Sequence, residues 1–222
     1  ARGYIGILVN ELNPELAEKL GISKEIRAPF VTHVYPGEPA DKAGIRPYDA
    51  IVELNGKPVR NFAELIEQVT TIEINTSVPV KIIRGKDTKT LHLTVRERPG
   101  QAPVSKAIPS PSASPQKKKE ERPKIGMELE DLDPETSREL SLPEKSPGVV
   151  VESVDPGGAA EGAGFQEGDV ILEVDRKLIR SVDGFFQVVR SKKSYLVRVR
   201  RIDQQGRENF SVFVLNLNEP PT

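Results

Sequence analysis

Few side chains in this 222-residue chain could act as catalysts. There is no cysteine, and the two histidines, His33 and His92, lie in apolar-alternating segments. A hydrolase needs a nucleophile, a base and a group that orients the base. The chain has no Gly-x-Ser-x-Gly or Gly-Asn-Ser-Gly-Gly string, and its histidines lack the HExxH spacing of a zinc site. We therefore expect no catalysis, no metal and no cofactor within this chain.

Glycine-rich segments offer a second kind of chemistry, because their backbone N–H groups can hold a phosphate. Gly157, Gly158, Gly162 and Gly164 are spaced closely enough to resemble such a loop. No Gly-Lys-Ser or Gly-Lys-Thr string follows them, and the corresponding earlier segment has only two of the four glycines. The pattern therefore does not predict a phosphate site.

These glycines belong to an internal repeat. Residues 5–69 and 125–189 align at a constant offset of 120 with 19 of 65 positions identical. The shared core is Pro-Gly-x-x-Ala-x-x-Ala-Gly, which begins at Pro36 and again at Pro156 and is followed by Asp49 or Asp169. A period of this length is that of a whole small domain and not of a solenoid unit. We expect both aspartates to be structural, accepting backbone N–H bonds beside a turn.

Each copy predicts the element order β–α–β–α–β–α–β–β from its turn residues and apolar spacing. For the first copy the predicted elements are a strand Gly3–Asn10, a helix Pro14–Leu20, a strand Phe30–Val34, a helical turn Ala40–Ala43, a strand Ala50–Leu54, a helix Phe62–Val69 and a hairpin of Val78–Arg84 with Thr90–Arg96. In the second copy the series begins with a strand Ile125–Leu129 and includes a helix Val182–Val189.

Composition separates the copies. Residues 99–122 are rich in Pro, Ser and Lys and lack the apolar side chains of a core, so they predict a flexible linker. We therefore divide the chain into a first domain at 1–98, the linker at 99–122 and a second domain at 123–218.

The net charge is −1, without the basic excess typical of nucleic-acid binding. Apolar runs are too short for a membrane span. Because the chain begins at Ala1, we expect it to be a piece of a longer protein.

The repeated string, together with Arg2-Gly3-Tyr4-Ile5-Gly6-Ile7 at the start, resembles PDZ domains. The order of these motifs along nearly the whole chain is similar to that of the two tandem PDZ domains of HtrA/Do envelope serine proteases. The resemblance implies an α+β fold with two PDZ-like domains. Each would be a small, partly open antiparallel β-barrel or sandwich with two main helices.

PDZ domains bind the C-terminus of a partner by strand addition. The resemblance assigns the carboxylate-binding loop to Tyr4, Ile5, Gly6 and Ile7, and the peptide-receiving strand to Leu8, Val9 and Asn10. Pocket residues would be Phe62, Leu65, Ile66 and Val69, with the choice between Leu65 and Ile66 left open. The second-domain equivalents, expected to bind more weakly, are Lys124, Ile125, Gly126, Met127, Phe185, Phe186 and Val189.

The expected function is a regulatory or substrate-recognition module that binds C-termini or unfolded segments of other proteins. The resemblance implies a parent that is an HtrA-type serine endopeptidase of protein quality control, located in a bacterial periplasm or cell envelope. It also implies a homo-oligomer formed through a protease domain outside this chain. No nucleic-acid or membrane partner is expected. The alternatives are a stand-alone scaffold or adaptor, or the PDZ part of an intramembrane protease or secretion component.

Four differences make the second copy the weaker predicted carboxylate binder. Pro123 replaces Gly3 and removes a backbone donor. Phe185 and Phe186 replace Leu65 and Ile66 and could fill the pocket, and Gly184 weakens the helix. Residues 123–222 also carry a net charge of −5, which repels a carboxylate. We expect this copy to serve assembly or inter-domain contacts.

Overall fold

A computed structural model describes residues 3–98, 124–140, 142, 146–190, 192–203, 205 and 207–217. The chain divides into two compact units, 1–102 and 103–222. The predicted linker 99–122 and Pro123 lie outside the described residues. Among those that are described, no helix combines the length and apolar character needed to cross a membrane.

Over residues 3–98, the first unit contains a six-stranded antiparallel sheet, a separate two-stranded sheet and three helices. In chain order its elements are β1 Gly3–Tyr4, β2 Ile7–Glu11, α1 Pro14–Leu20, β3 Pro29–Val34, α2 Pro39–Ala43, β4 Ala50–Leu54, β5 Lys57–Pro58, α3 Phe62–Thr71, β6 Ser77–Arg84, β7 Asp87–Thr94 and β8 Arg96–Glu97. The main sheet has the order β2-β3-β4-β6-β7, with β5 paired to β4 and β1 paired to β8. The sheet does not close into a barrel, so β2 remains an edge strand.

The second unit repeats this order. Its elements are β9 Met127–Asp131, α4 Pro134–Glu139, β10 Val149–Val154, α5 Ala159–Ala163, β11 Val170–Val174, β12 Lys177–Leu178, α6 Val182–Val188, β13 Ser194–Ile202 and β14 Glu208–Asn216. The sheet order is β14-β13-β11-β10-β9, so β9 occupies the edge position that β2 holds in the first unit.

Most predicted elements are confirmed to within two residues of their ends, and two of the three differences that stand out lie at a glycine with a left-handed φ. The predicted strand Gly3–Asn10 is two strands, because Gly6 has a left-handed φ of 77° between them. The predicted strand Ile125–Leu129 begins only at Met127, after Gly126 with φ 73°. The predicted strand Thr90–Arg96 is two strands: β7 begins earlier, at Asp87 directly after the two-residue turn Gly85-Lys86, and ends at Thr94, whereas β8 pairs with β1 instead of β6.

Helix ends are set by local chemistry. Asn61 caps α3 by accepting the N–H of Glu64 at 2.8 Å, and Ser181 caps α6 by accepting that of Gly184 at 3.1 Å. The short α2 and α5 both end at a glycine in the left-handed conformation, Gly44 with φ 87° and Gly164 with φ 102°. These are the last glycines of the repeated string, so the repeat encodes the same helix stop twice.

A buried ion pair is conserved between the two units. Asp49 is 1% exposed, and its carboxylate receives two bonds from Arg84 on β6, at 2.8 and 2.7 Å. Arg84 also donates to the carbonyl of Gly44 at 2.9 Å, which joins the end of α2 to the sheet. The hydrogen bonds to Asp49 raise the pKa of Arg84 above its usual value.

Asp169 and Arg201 form the same pair in the second unit, at 2.6 and 2.7 Å, and Arg201 donates to the carbonyl of Gly164 at 2.8 Å. Each aspartate also accepts the backbone N–H of the residue three positions earlier, Arg46 at 2.8 Å and Gln166 at 2.9 Å. These contacts agree with a structural role for both carboxylates.

We predict that Asp49→Asn destabilises the first unit by about 3 kcal/mol, because Arg84 loses its charged partner in a buried site. The change should leave the order of preference among peptides unaltered in the protein that remains folded. Calorimetric unfolding of the full chain checks this, with Asp169→Asn as the matched variant that should instead lower the transition of the second unit. A stable Asp49→Asn protein with changed peptide preference would contradict the structural role.

Candidate peptide-binding sites

The loop between β1 and β2 has a backbone shape that only glycine adopts easily. A Cβ on Gly6 would lie 2.3 Å from the Cβ of Glu38, and its φ is already left-handed. The carbonyls of Ile5 and Gly6 accept the N–H groups of Ala40 at 2.9 Å and Tyr35 at 3.0 Å. Among the backbone bonds of turns, loops and caps in the described residues, none uses the N–H of Ile5 or Gly6. The loop can therefore offer backbone donors to an anion.

Glu38 makes this loop less favourable for an anion than its backbone alone suggests. Burial raises the pKa of Tyr4, and the negative charge of Glu38 raises it further, whereas Arg98 acts in the opposite direction. A bound carboxylate would experience the same repulsion from Glu38. We expect the affinity for a free C-terminus to be limited by this charge.

Strand β2 has a partner on only one side. It pairs with β3 from Ile7 opposite Val34 to Glu11 opposite Pro29, with a bulge between Leu8 and Val9. Among the described strands, β3 is its only partner in the sheet. Ile7 and Val9 pack against the core, so Leu8 and Asn10 point to the opposite face. The second edge of β2 can thus accept an added strand.

Helix α3 lies alongside β1 and β2 and presents two different faces. Leu65 and Val69 are 2% and 4% exposed and belong to the core. Phe62 and Ile66 are 48% and 46% exposed, although both are large and apolar. The structure therefore separates the two pocket candidates that the sequence left open: Leu65 is core and Ile66 is accessible.

The exposed pair faces the strand side of the helix. Gln68 donates to the carbonyl of Pro58 at 2.8 Å, so its flank of α3 faces β5. At about 100° per residue, Ile66 lies about 200° from Gln68, on the opposite flank. Helix α3 contacts β1 and β2, and Glu11 at the end of β2 accepts the N–H of Phe62 at 2.6 Å. We therefore assign the flank of Ile66 to the side of these strands. We call the channel lined by β2, Phe62 and Ile66 the first groove.

The second unit has the same frame but a filled channel. Gly126 has the left-handed φ of Gly6, and its carbonyl accepts the N–H of Asp155 at 2.9 Å. Lys124 is exposed, whereas Ile125 and Met127 are 2% and 6% exposed. The predicted effect of Pro123 lies outside the described residues.

The helix side of this channel is apolar and closed. Phe185 and Val189 are core residues like their counterparts Leu65 and Val69. Val182 and Phe186 occupy the positions of Phe62 and Ile66, yet they are only 9% and 8% exposed. Phe186 packs edge-on against Phe185 with ring centroids 5.4 Å apart and belongs to the same core cluster as Met127. The second unit thus buries with its own side chains the surface that the first unit leaves open.

Strand β9 is also more acidic than β2. Glu128 and Glu130 stand where β2 has Leu8 and Asn10. Burial raises the pKa of Glu130, and the charges of Glu152, Asp133, Asp131 and Glu139 raise it further. A carboxylate ligand would add another negative charge here.

The sequence prediction missed Glu38, Glu11 and the two arginines that bind the buried aspartates. Glu38 stands where the second copy has Gly158, and that difference next to a conserved glycine was visible in the alignment. Arg84 and Arg201 lie beyond the aligned region, where the closing hairpins are offset differently. No group of three or more His, Cys, Asp or Glu side chains in the described part of the chain could hold a metal ion.

Comparison with known families decides the identity of both units. Residues 3–95 match one family model described as a PDZ domain, and residues 150–201 match a second model with the same description. The chain is a tandem pair of PDZ domains. The predicted fold class is confirmed, and the two units are hereafter the first and second PDZ domains.

The pair resembles the corresponding part of larger proteases. It is 31% identical over 218 residues to proteins described as probable periplasmic serine endoprotease DegP-like in Hahella chejuensis and Pseudomonas fulva, covering 97% of this chain and 44% and 43% of those proteins. A protein of the same description in Chlamydia trachomatis is 31% identical over 192 residues, covering 86% of this chain and 35% of that protein. The chain therefore spans less than half the length of these curated relatives.

Solved structures of HtrA-type proteins also match the chain, each over a share that corresponds to one domain. The HtrA-type protease AlgW with decapeptide is 29% identical, covers 45% of this chain and 30% of its own, and has a TM-score of 0.42. The HtrA3 PDZ domain bound to a phage-derived ligand, FGRWV, is 26% identical, covers 43% of this chain and 86% of its own, and has a TM-score of 0.38.

We predict that Gly6→Ala destabilises the first PDZ domain by clearly more than 1 kcal/mol and weakens peptide binding, because the added Cβ meets Glu38 as well as an unfavourable φ. Gly37→Ala is the matched control. Gly37 has nearly the same φ, 76°, but a Cβ there would meet no heavy atom within 4 Å, so its cost should be about 1 kcal/mol. Urea unfolding of both variants checks the difference. Equal costs would show that the close approach to Glu38 is unimportant.

We predict that Glu130→Gln raises the melting temperature of the second PDZ domain at pH 7. A folded-state pKa above the usual 4.5 means that ionised Glu130 destabilises the fold at neutral pH. This destabilisation disappears as the pH falls through the raised pKa to below 4.5, where the group is protonated in both states. Calorimetry from pH 7 to pH 4 should show the advantage of Glu130→Gln shrinking to zero. Glu128→Gln, an exposed neighbour on β9, serves as the control with a smaller change, and a constant advantage would contradict the prediction.

Proposed function

We propose that the first PDZ domain binds the C-termini or extended segments of other proteins by adding them as a strand to β2. The observation that carries this proposal is the open edge of β2 beside the exposed Phe62 and Ile66. Large exposed apolar side chains next to an unpaired strand edge are a poor arrangement for an isolated domain, and a bound peptide would cover both.

The recognition chemistry follows from the surrounding residues. The N–H groups of Ile5 and Gly6 would bind the terminal carboxylate, β2 would supply backbone bonds, and Ile66 would contact an apolar last side chain. Burying the exposed halves of Phe62 and Ile66 contributes roughly 1 kcal/mol each. Ordering the peptide and the charge of Glu38 oppose this gain, so micromolar affinity is expected. The peptide ligands named for AlgW and the HtrA3 PDZ domain support this reading.

The second PDZ domain is not proposed as a tail-binding site. Its channel is occupied by Val182 and Phe186, and its strand β9 carries acidic side chains in place of neutral ones. Opening the channel would expose Phe186 to water, which costs free energy before any ligand contact is made.

The names of the relatives support a parent protein that is a serine endoprotease of the periplasm. In that setting the first groove would hold damaged or unfolded substrates, as quality control requires. The similarity over 97% of the chain favours this reading over a stand-alone scaffold or an intramembrane protease.

We predict that the full chain binds the peptide Phe-Gly-Arg-Trp-Val with a single site and that amidating its C-terminus weakens binding about tenfold or more. Charge-assisted bonds from the loop account for the loss. Isothermal titration measures both the stoichiometry and the affinity. Unchanged affinity after amidation would exclude the carboxylate role of Ile5 and Gly6, and two equal sites would contradict the assignment of the second domain.

A pair of surface variants tests the groove itself. Ile66→Glu should weaken this peptide at least about tenfold, because it places a charge on the apolar wall. Leu178→Glu is the matched control, since Leu178 is the other large exposed apolar residue of the described chain, 48% exposed on β12 of the second domain. Equal effects of the two variants would place the binding site elsewhere.

A further inference from the structure

The N-terminal end of α3 is held to the end of β2 by one side chain. The carboxylate of Glu11 accepts the backbone N–H of Phe62, the first residue of the helix, at 2.6 Å. The first N–H groups of a helix have no partner within the helix, and Asn61 already accepts that of Glu64. Glu11 therefore supplies, from the strand across the groove, an acceptor that the helix cannot provide itself.

The other end of α3 is held by backbone contact. A Cβ added to Gly3 on β1 would lie 2.1 Å from the carbonyl oxygen of Val69, so the strand and the last turns of the helix are in direct contact. The helix is thus attached to the β1–β2 segment at two points, one beyond each end of the first groove. Of the two, only the Glu11 contact depends on a flexible, exposed side chain.

The second domain makes the same attachment with a different residue. The carboxylate of Asp131, the last residue of β9, accepts the N–H of Val182, the first residue of α6, also at 2.6 Å. Asp is one methylene shorter than Glu. The domain with the longer side chain has the open groove, and the domain with the shorter one has the closed channel.

We propose that Glu11 is a positioning residue that sets the width of the first groove at the end where a bound peptide leaves it. This inference rests on the proposed strand addition. In an antiparallel arrangement, the peptide C-terminus lies at the loop before Ile7, and each residue advances by about 3.3 Å along β2. Strand β2 has five residues, so the fifth residue from the peptide C-terminus reaches Glu11, whereas a tripeptide stops near Val9.

The position of Glu11 predicts an effect that depends on peptide length. Without the carboxylate, the first turn of α3 loses an acceptor and moves more freely, which loosens the groove only at its far end. In the full chain, Glu11→Ala should raise the Kd of Phe-Gly-Arg-Trp-Val about fivefold, as expected for a lost helix cap, and that of Arg-Trp-Val less than about twofold. Because both peptides are measured on the same protein, a general loss of stability cannot produce this difference.

Two further variants distinguish the positioning role of Glu11 from the effect of its negative charge. Glu11→Gln keeps an acceptor oxygen and removes the charge, so it should retain nearly wild-type affinity for the pentapeptide. Glu25→Ala removes a negative charge from an exposed site outside the groove and should change neither Kd. If Glu11→Gln behaves like Glu11→Ala, the effect is electrostatic attraction to the peptide and the positioning role is wrong.

A measurement without peptide tests the attachment independently. Amide hydrogen exchange in residues 62–65 should accelerate in Glu11→Ala and not in Glu25→Ala, because the first turn of α3 is released. Unchanged exchange, or equal weakening of both peptides, overturns the proposal. If the wild-type chain binds neither peptide, the proposed function fails, while the exchange result still decides whether Glu11 holds the helix.

Discussion

A buried aspartate bound to an arginine joins three parts of each PDZ domain. Asp49 lies where α2 has ended and β4 begins, and Arg84 reaches it from β6 while also bonding the carbonyl of Gly44. Because removing water from one charge is costly unless the other is present, this pair constrains the sheet and the α2 turn to a single arrangement. Asp169 and Arg201 repeat this pair, so two sequences that differ at most positions share the same constraint on their frame.

Within this common fold, the two domains differ in the solvent exposure of one face of the corresponding helices α3 and α6. Phe62 and Ile66 are accessible in the first domain, whereas Val182 and Phe186 are buried in the second. The exchange of Ile for Phe adds an aromatic ring that packs edge-on against Phe185 and belongs to the same core cluster as Met127. The same helix face is therefore exposed in the first domain and part of the core in the second, without a change in strand order or helix position along the chain.

The electrostatics of the two edge strands reinforce this difference. Glu130 on β9 is surrounded by four other carboxylates whose charges raise its pKa, while β2 carries a neutral Asn10 at that position. In the first domain the unfavourable charge lies instead at the loop, where Glu38 approaches Gly6. In both domains, negative charge near the edge strand therefore opposes the binding of a carboxylate. The first domain differs because the exposed Phe62 and Ile66 offer apolar contacts that can compensate for this repulsion.

The sequence by itself determined the duplication, the element order, the PDZ identity and the structural use of Asp49 and Asp169. These depend on local signals: glycines that end helices, caps such as Asn61, and apolar residues at helix or strand spacing. Only the tertiary structure showed that Leu65 is core and Ile66 accessible, because adjacent helix positions differ by about 100° and the sequence does not say which side carries a neighbour. It also revealed the contacts of Glu11, Glu38 and Arg84, whose partners Phe62, Gly6 and Asp49 are 51, 32 and 35 residues away in the chain. Pairings over such separations leave no local pattern, since they are decided by how the strands and helices pack.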